Sequence, residues 1–116
     1  MSSVLREQVV AVVESFLSCI ASNDLERLPA TPDLVVQSPL TQKLSGEPAL
    51  AYVEAVAAGT SRVRIVQHIV EGEHVATLSE NDTVNGSLWV FSKFRVESGL
   101  VAEARVFYDP RRLSGS

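Results

Sequence analysis

Ser87-Leu88-Trp89-Val90-Phe91-Ser92-Lys93-Phe94-Arg95-Val96, then Glu97-Ser98-Gly99, then Leu100-Val101-Ala102-Glu103-Ala104-Arg105-Val106-Phe107-Tyr108 decide the fold of this chain. The two outer runs are rich in β-branched and aromatic residues and lack Gly and Pro, so each reads as a strand joined by a tight turn. Asp109-Pro110 stops the second. Just upstream, Asn85-Gly86 is the strongest short hairpin signal, because a type I′ turn asks for positive φ at two successive residues. His74 to Val84 is then a third strand, and the three make an antiparallel meander. Arg62 to Val70 alternates as well, and Glu71-Gly72-Glu73 turns it into His74.

Ahead of these strands the pattern is helical. Leu5, Val9, Val12, Val13, Phe16, Leu17 and Ile20 recur at three- and four-residue steps, one face of a long helix from Ser3 to Ala21. Asn23-Asp24-Leu25-Glu26 has the form of a capping box and predicts a short second helix, ended by Pro29 and Pro32. Leu34-Val35-Val36 predicts a brief strand within Asp33 to Gln37, and Ser38 to Gly46 a loop. Pro48 suits a first helical turn. Leu50, Val53, Val56 and Ala57 give the buried stripe of a third helix, which Gly59 closes. Helices first and four antiparallel strands afterwards make the class α+β rather than α/β.

Composition narrows the function classes. A chain of 116 residues is a single domain, 1–116, large enough to build a core without staples. Its net charge of −4 counts against nucleic acid, whose binding proteins carry a basic footprint. The lone cysteine, Cys19, allows no internal disulfide and fits a reducing, cytoplasmic location. There is no apolar run long enough to span a membrane. Met1-Ser2-Ser3 leads straight into the amphipathic pattern, without the basic start of a signal peptide. Ser114-Gly115-Ser116 reads as a frayed tail.

The alternation sorts the strand residues onto two faces. Leu88, Val90, Ser92, Phe94 and Val96 share one with Ala104, Val106 and Tyr108. Trp89, Phe91, Lys93 and Arg95 share the other with Glu103, Arg105 and Phe107. Small and aliphatic residues with an isolated hydroxyl suit a pocket. Aromatic residues mixed with Lys and Arg suit an interface. The expectation is a homodimer through the outer sheet face, Trp89, Phe91 and Phe107 included; the alternative is that these side chains cover the sheet of a monomer.

The order of elements resembles the nuclear transport factor 2-like superfamily. Within it, the chain is similar to the small bacterial polyketide-cyclase-like (SnoaL-like) proteins, relatives of ketosteroid isomerase and limonene-epoxide hydrolase. The resemblance is carried by Ala21-Ser22-Asn23-Asp24-Leu25, Val36-Gln37-Ser38-Pro39-Leu40, Leu44-Ser45-Gly46, Glu71-Gly72-Glu73-His74-Val75 and Arg105-Val106-Phe107-Tyr108-Asp109-Pro110. Each motif is weak alone; their order and spacing are more specific. The resemblance implies a cystatin-like cone, three N-terminal helices packed on a curved, mainly antiparallel sheet. It also implies cofactor-free action on a small apolar molecule of polyketide, steroid or terpenoid type. The pocket would be bordered by Phe16, Ser38, Val53, Val90, Ser92 and Val106.

Carried over position by position, the relatives' catalytic groups are missing. Ketosteroid isomerases use an Asp base with an oxyanion hole of Tyr and a protonated Asp. Here those positions fall on Ser38, Phe16 and Ser92, and a serine is far too weak a base for a carbon-bound proton. The chain should not be a ketosteroid isomerase. The hydrolases' Asp–Arg–Asp set would fall on Val106 and near Ser79-Glu80-Asn81-Asp82, with no arginine in either register.

Other groups remain as candidates. Glu80 and Asp82 share a strand face. If that face is the pocket, desolvation and repulsion raise at least one pKa toward general acid–base use; if not, they sit on a solvated strand end. The register leaves open whether Glu80 and Asp82 or Ser79 and Asn81 point inward. His68 and His74 are candidate proton carriers or merely structural residues. They lack the third ligand of a zinc site. Tyr108 is a candidate hydrogen-bond donor to substrate, or a core tyrosine. Tyr52 reads as structural and Cys19 as packing. There is no phosphate-cradling glycine loop, and Arg111-Arg112 is too small a basic patch for nucleic acid. Two functions follow: a cofactor-free cyclase, isomerase or hydrolase using Asp82, Glu80, His68 and Tyr108, or a non-catalytic ligand-binding or dimeric accessory domain with a degenerate pocket.

Overall fold

A computed structural model describes residues 3–111. Arg112, the Ser114–Ser116 tail and Met1-Ser2 lie outside the described residues. The elements are α1 (Ser3–Ser22), a 3-10 turn (Leu25–Arg27), β1 (Ala30–Ser38), β2 (Thr41–Ser45), α2 (Glu47–Gly59), β3 (Thr60–Glu71), β4 (His74–Thr83), β5 (Gly86–Glu97) and β6 (Leu100–Phe107). The six strands form one mixed sheet in the order β2-β1-β6-β5-β4-β3. Every neighbouring pair is antiparallel except β1 and β6, which run parallel with Val36 beside Ala104. The two helices pack on its inner face. Val9, Val13, Phe16, Leu17 and Ile20 of α1 and Ala49, Val53 and Ala57 of α2 bury against Leu34, Val36, Val75, Phe94 and Ala104. Phe16 meets Phe94 edge to face, ring centroids 5.6 Å apart.

The class α+β holds, but there are two α-helices where three were expected. The segment read as a capping box ends α1 instead of starting a helix. Asn23 takes a positive φ of 57°, its N–H bonds to the Ile20 carbonyl, and the Asp24 N–H reaches back to Cys19. That pair of bonds is a Schellman stop, in which asparagine tolerates the left-handed position. Asp24 makes no side-chain cap, and only the 3-10 turn follows.

The strand expected at Asp33–Gln37 is longer, and the loop expected at Ser38–Gly46 contains β2. Pro32 sits inside β1 rather than at a helix end. The pairing of β1 with β6 is interrupted between Ala30 and Val35, so Pro32's missing N–H costs no ladder bond there.

The turns also exchange roles. Among non-glycine residues, positive φ occurs at Asn23 and Ser98, so Asn85-Gly86 is not a type I′ pair. Instead Thr83 Oγ1 accepts from the Asn85 N–H and donates to the Gly86 carbonyl, closing a turn in which only Gly86 needs positive φ. The type I′ signature lies at Ser98-Gly99, with φ of 51° and 80°, between the paired Glu97 and Leu100. Register shifts at Thr60/Arg62 and Ile65/Gln67 in β3, and at Arg95/Val96, where β6 carries Ala102 as the extra residue, add the local twist that curves the sheet.

Candidate functional site

Between the helices and the concave face of the sheet lies a cavity of about 330 Å³, within the size range of small-molecule sites. Phe16, Phe94, Ser92 and Ala104 border its inner part. Its outer part is edged by Leu40, Val84 and the end of α2. The lining is mostly aliphatic and aromatic.

Phe16, Val53, Val90, Ser92, Val106 and Tyr108 border this cavity. Ser38 is buried and does not; its Oγ lies 3.2 Å from Thr41 Oγ1 and accepts from the Leu40 N–H. Ser92 is 4% exposed and borders the cavity, and no hydrogen bond joins its hydroxyl to another described residue.

The carboxylate pair does not reach the cavity. In β4 the inward residues are Val75, Thr77, Ser79 and Asn81, so Glu80 and Asp82 lie on the outer face. Glu80 sits opposite Trp89 and is held by Arg64, whose guanidinium lies 6.0 Å from the Trp89 ring centroid. Asp82 accepts a 2.8 Å bond from Ser87. The acid–base role expected for the pair if it faced the pocket therefore has no site. The hairpin decides this: Thr83 pairs with Gly86, which fixes Ser79 beside Val90 and Asn81 beside Leu88.

His68 faces inward but is tied up. Its Nδ1 meets Thr77 Oγ1 at 2.8 Å and its Nε2 meets Glu14 Oε2 at 2.9 Å, linking α1 to two strands. Thr77 is fully buried, and neither His68 nor Thr77 borders the cavity. His68 is inward because the extra residue at the Ile65/Gln67 shift flips the alternation of β3. His74 opens β4 opposite Arg95. Cys19 is buried, and burial pushes its thiol pKa up, so it is no activated nucleophile. Among the described residues no group of three His, Cys, Asp or Glu is placed to hold a metal ion.

Tyr108 lies just beyond β6, and its hydroxyl is 3.3 Å from that of Tyr52 on α2. Burial, then the Tyr52 hydrogen bond, pushes its pKa up to about 12. Near neutrality it is a phenol that donates, not a phenolate base. Tyr52 borders the cavity as well, which its sequence reading as a structural residue missed. The available signal was the stripe Tyr52, Val56, Gly59 alongside the buried Ala49, Val53, Ala57. Asn81, left open by the sequence, also borders the cavity; its Oδ1 takes the Ser79 hydroxyl at 2.8 Å, leaving its amide N–H groups as the open valence.

No family model matches the sequence, and no curated protein matches it. Solved structures do. An NTF2-like protein of unknown function from Cytophaga hutchinsonii superposes with a TM-score of 0.78 at 14% identity, over 91% of this chain and 94% of its own. An LEH-like epoxide hydrolase from M. tuberculosis gives 0.79 at 19%, over 94% and 89%. A candidate SnoaL-like polyketide cyclase from Jannaschia sp. CCS1 gives 0.75 at 21%, over 93% and 90%. At these identities the likeness is one of architecture: the chain has the fold of the nuclear transport factor 2-like proteins.

Proposed function

We propose that this chain binds a small, uncharged, largely apolar molecule inside the cone, in the size range of a polyketide-, steroid- or terpenoid-like compound, without acid–base catalysis of its own. One observation carries the reading: the cavity is lined mostly by apolar side chains, and among the described residues its only ionisable lining groups are two hydrogen-bonded phenols. Apolar walls supply affinity and a few polar groups supply orientation. A carboxylate or ammonium entering the cavity would lose its hydration with no opposite charge to meet it.

The test is thermal and chemical unfolding with uncharged terpenoid and polyketide-like ketones against matched carboxylates. A ligand at a hundred times its Kd stabilises the native state by about 2.7 kcal/mol. Stabilisation by the neutral compounds and not by the acids is expected. A flat response across the panel would sink the reading.

A second reading is a cofactor-free cyclase-, isomerase- or hydrolase-like enzyme on the same class of molecule. It draws on Tyr108, a neutral O–H donor in the cavity wall, the kind of group that steadies developing charge on an oxygen. With Glu80, Asp82 and His68 outside the cavity, any proton acceptor would have to come from the substrate. Turnover of a bound compound, lost in Tyr108→Phe with binding retained, would favour this reading over the first.

The outer sheet face is proposed as a homodimer interface. Trp89, Phe91 and Phe107 are 54%, 43% and 51% exposed, and Phe91 pairs directly with Phe107 across β5 and β6. Lys93, Arg95, Arg105, Glu80 and Glu103 surround them, a mixture of signs that a second copy can complement across a two-fold axis.

A further inference from the structure

Ser79 and Asn81 lie two residues apart on the inward face of β4, and the Ser79 hydroxyl donates to Asn81 Oδ1 at 2.8 Å. Ser79 is 2% exposed, and among the described residues its side chain makes no other hydrogen bond. That bond fixes which way the amide points. Turned over, the amide would donate to Ser79 and leave a buried hydroxyl proton without an acceptor, the more costly defect. With Oδ1 held by the serine, the two amide N–H groups are what Asn81 has left to offer. No hydrogen bond joins them to another described residue.

The surroundings of this amide are apolar. Across the sheet Asn81 is level with Val63 on β3 and Leu88 on β5, and all three border the cavity. Thr83, the next inward residue of β4, is already occupied: its Oγ1 accepts from the Asn85 N–H and donates to the Gly86 carbonyl. The phenol of Tyr108 follows β6, on the other side of β5. Strands β4 and β6 are two strand spacings, roughly 9–10 Å, apart. The Asn81 amide and the phenol pair are thus separate polar poles, with Leu88 and Val90 of β5 between them on the cavity floor.

We infer that Asn81 is the residue that selects a hydrogen-bond acceptor in this cavity, its amide N–H meeting the carbonyl oxygen of a neutral ketone, ester or lactone. Ser79 is the positioning residue that keeps the donor side of the amide toward the ligand. The inference rests on the ligand-binding reading above and narrows it. An amide N–H between apolar walls rewards an acceptor oxygen and gives nothing to a hydrocarbon or to a group that only donates.

Three bicyclic probes of similar shape test it: an indanone, which only accepts; indole, which only donates; and indene, which does neither. In the wild type the indanone should bind at least about fivefold tighter than indene. NMR of isotopically labelled protein should show the Asn81 side-chain amide protons moving downfield with the indanone and not with indene, a readout that needs no variant to fold. In Asn81→Leu the indanone should fall to within about twofold of indene, while indene itself holds. Ser79→Ala frees the amide to turn, so indole should gain about threefold on indene. An unchanged indole ratio there overturns the positioning role of Ser79. Equal wild-type affinity for the indanone and indene, an unmoved amide, or an indanone advantage that survives Asn81→Leu overturns the role of Asn81 and leaves the cavity a binding site. If none of the three probes binds the wild type, the binding reading itself fails and takes the inference with it.

Discussion

The phenol of Tyr108 shows how one side chain's surroundings set its chemistry. Burial and the Tyr52 hydroxyl hold its pKa at about 12, above the ordinary 10. The unfolded chain therefore gives up this proton first. Its contribution to stability is complete below about pH 10 and drains away as pH rises toward 12, because there the native state holds the proton that the unfolded state has lost. Urea midpoints measured across that window should fall more steeply for the wild type than for Tyr108→Phe; parallel curves would show that the residue titrates as it does in water. The acids tell the complementary story. Residue type nominated Glu80 and Asp82 for proton transfer, but a one-residue alternation, invisible until the hairpin is closed, turned them out to Arg64 and Ser87.

Among the elements, the joints carry the information. The β5–β6 turn places serine at φ 51°, a position that asparagine or glycine fills with less strain. Ser98→Asn should raise stability by roughly 0.5–1 kcal/mol, read as a higher urea midpoint with an unchanged slope; a loss would mean that the turn is not of this type. The tie between α1 and the sheet runs through His68. His68→Ala strips the partner from Thr77, a hydroxyl with no exposure, and should cost roughly 2–3 kcal/mol. Glu14→Ala removes only a half-exposed carboxylate and should cost less than about 1 kcal/mol. Equal losses in the two variants would place the energy in the helix contact rather than in the buried hydroxyl. Legibility follows the same division. The 3.6-residue stripe of α1 and the alternation of β5 could be read directly, because each is a local pattern. The bulge at Ile65/Gln67 could not, and it alone decides that His68 faces the helix.

For the molecule as a whole, the proposal assigns the concave face to a ligand and the convex face to a second copy. Sedimentation should find a dimer, and Phe91→Glu, which sets a charge beside Phe107, should shift it to monomer without weakening binding in the cavity. A monomeric wild type would refute the interface. From sequence alone came the class, the meander from His74 to Phe107, the long first helix, and the apolar character of the inner face. These are properties of neighbouring residues and of residue type. Tertiary structure decided the rest: the parallel seam of β1 on β6, the inward register of Asn81, and the meeting of Tyr52 with Tyr108 across 56 positions of chain. Periodicity says which residues share a face. Which distant residues share a hydrogen bond depends on how the layers close, and that is set by packing summed over the whole chain.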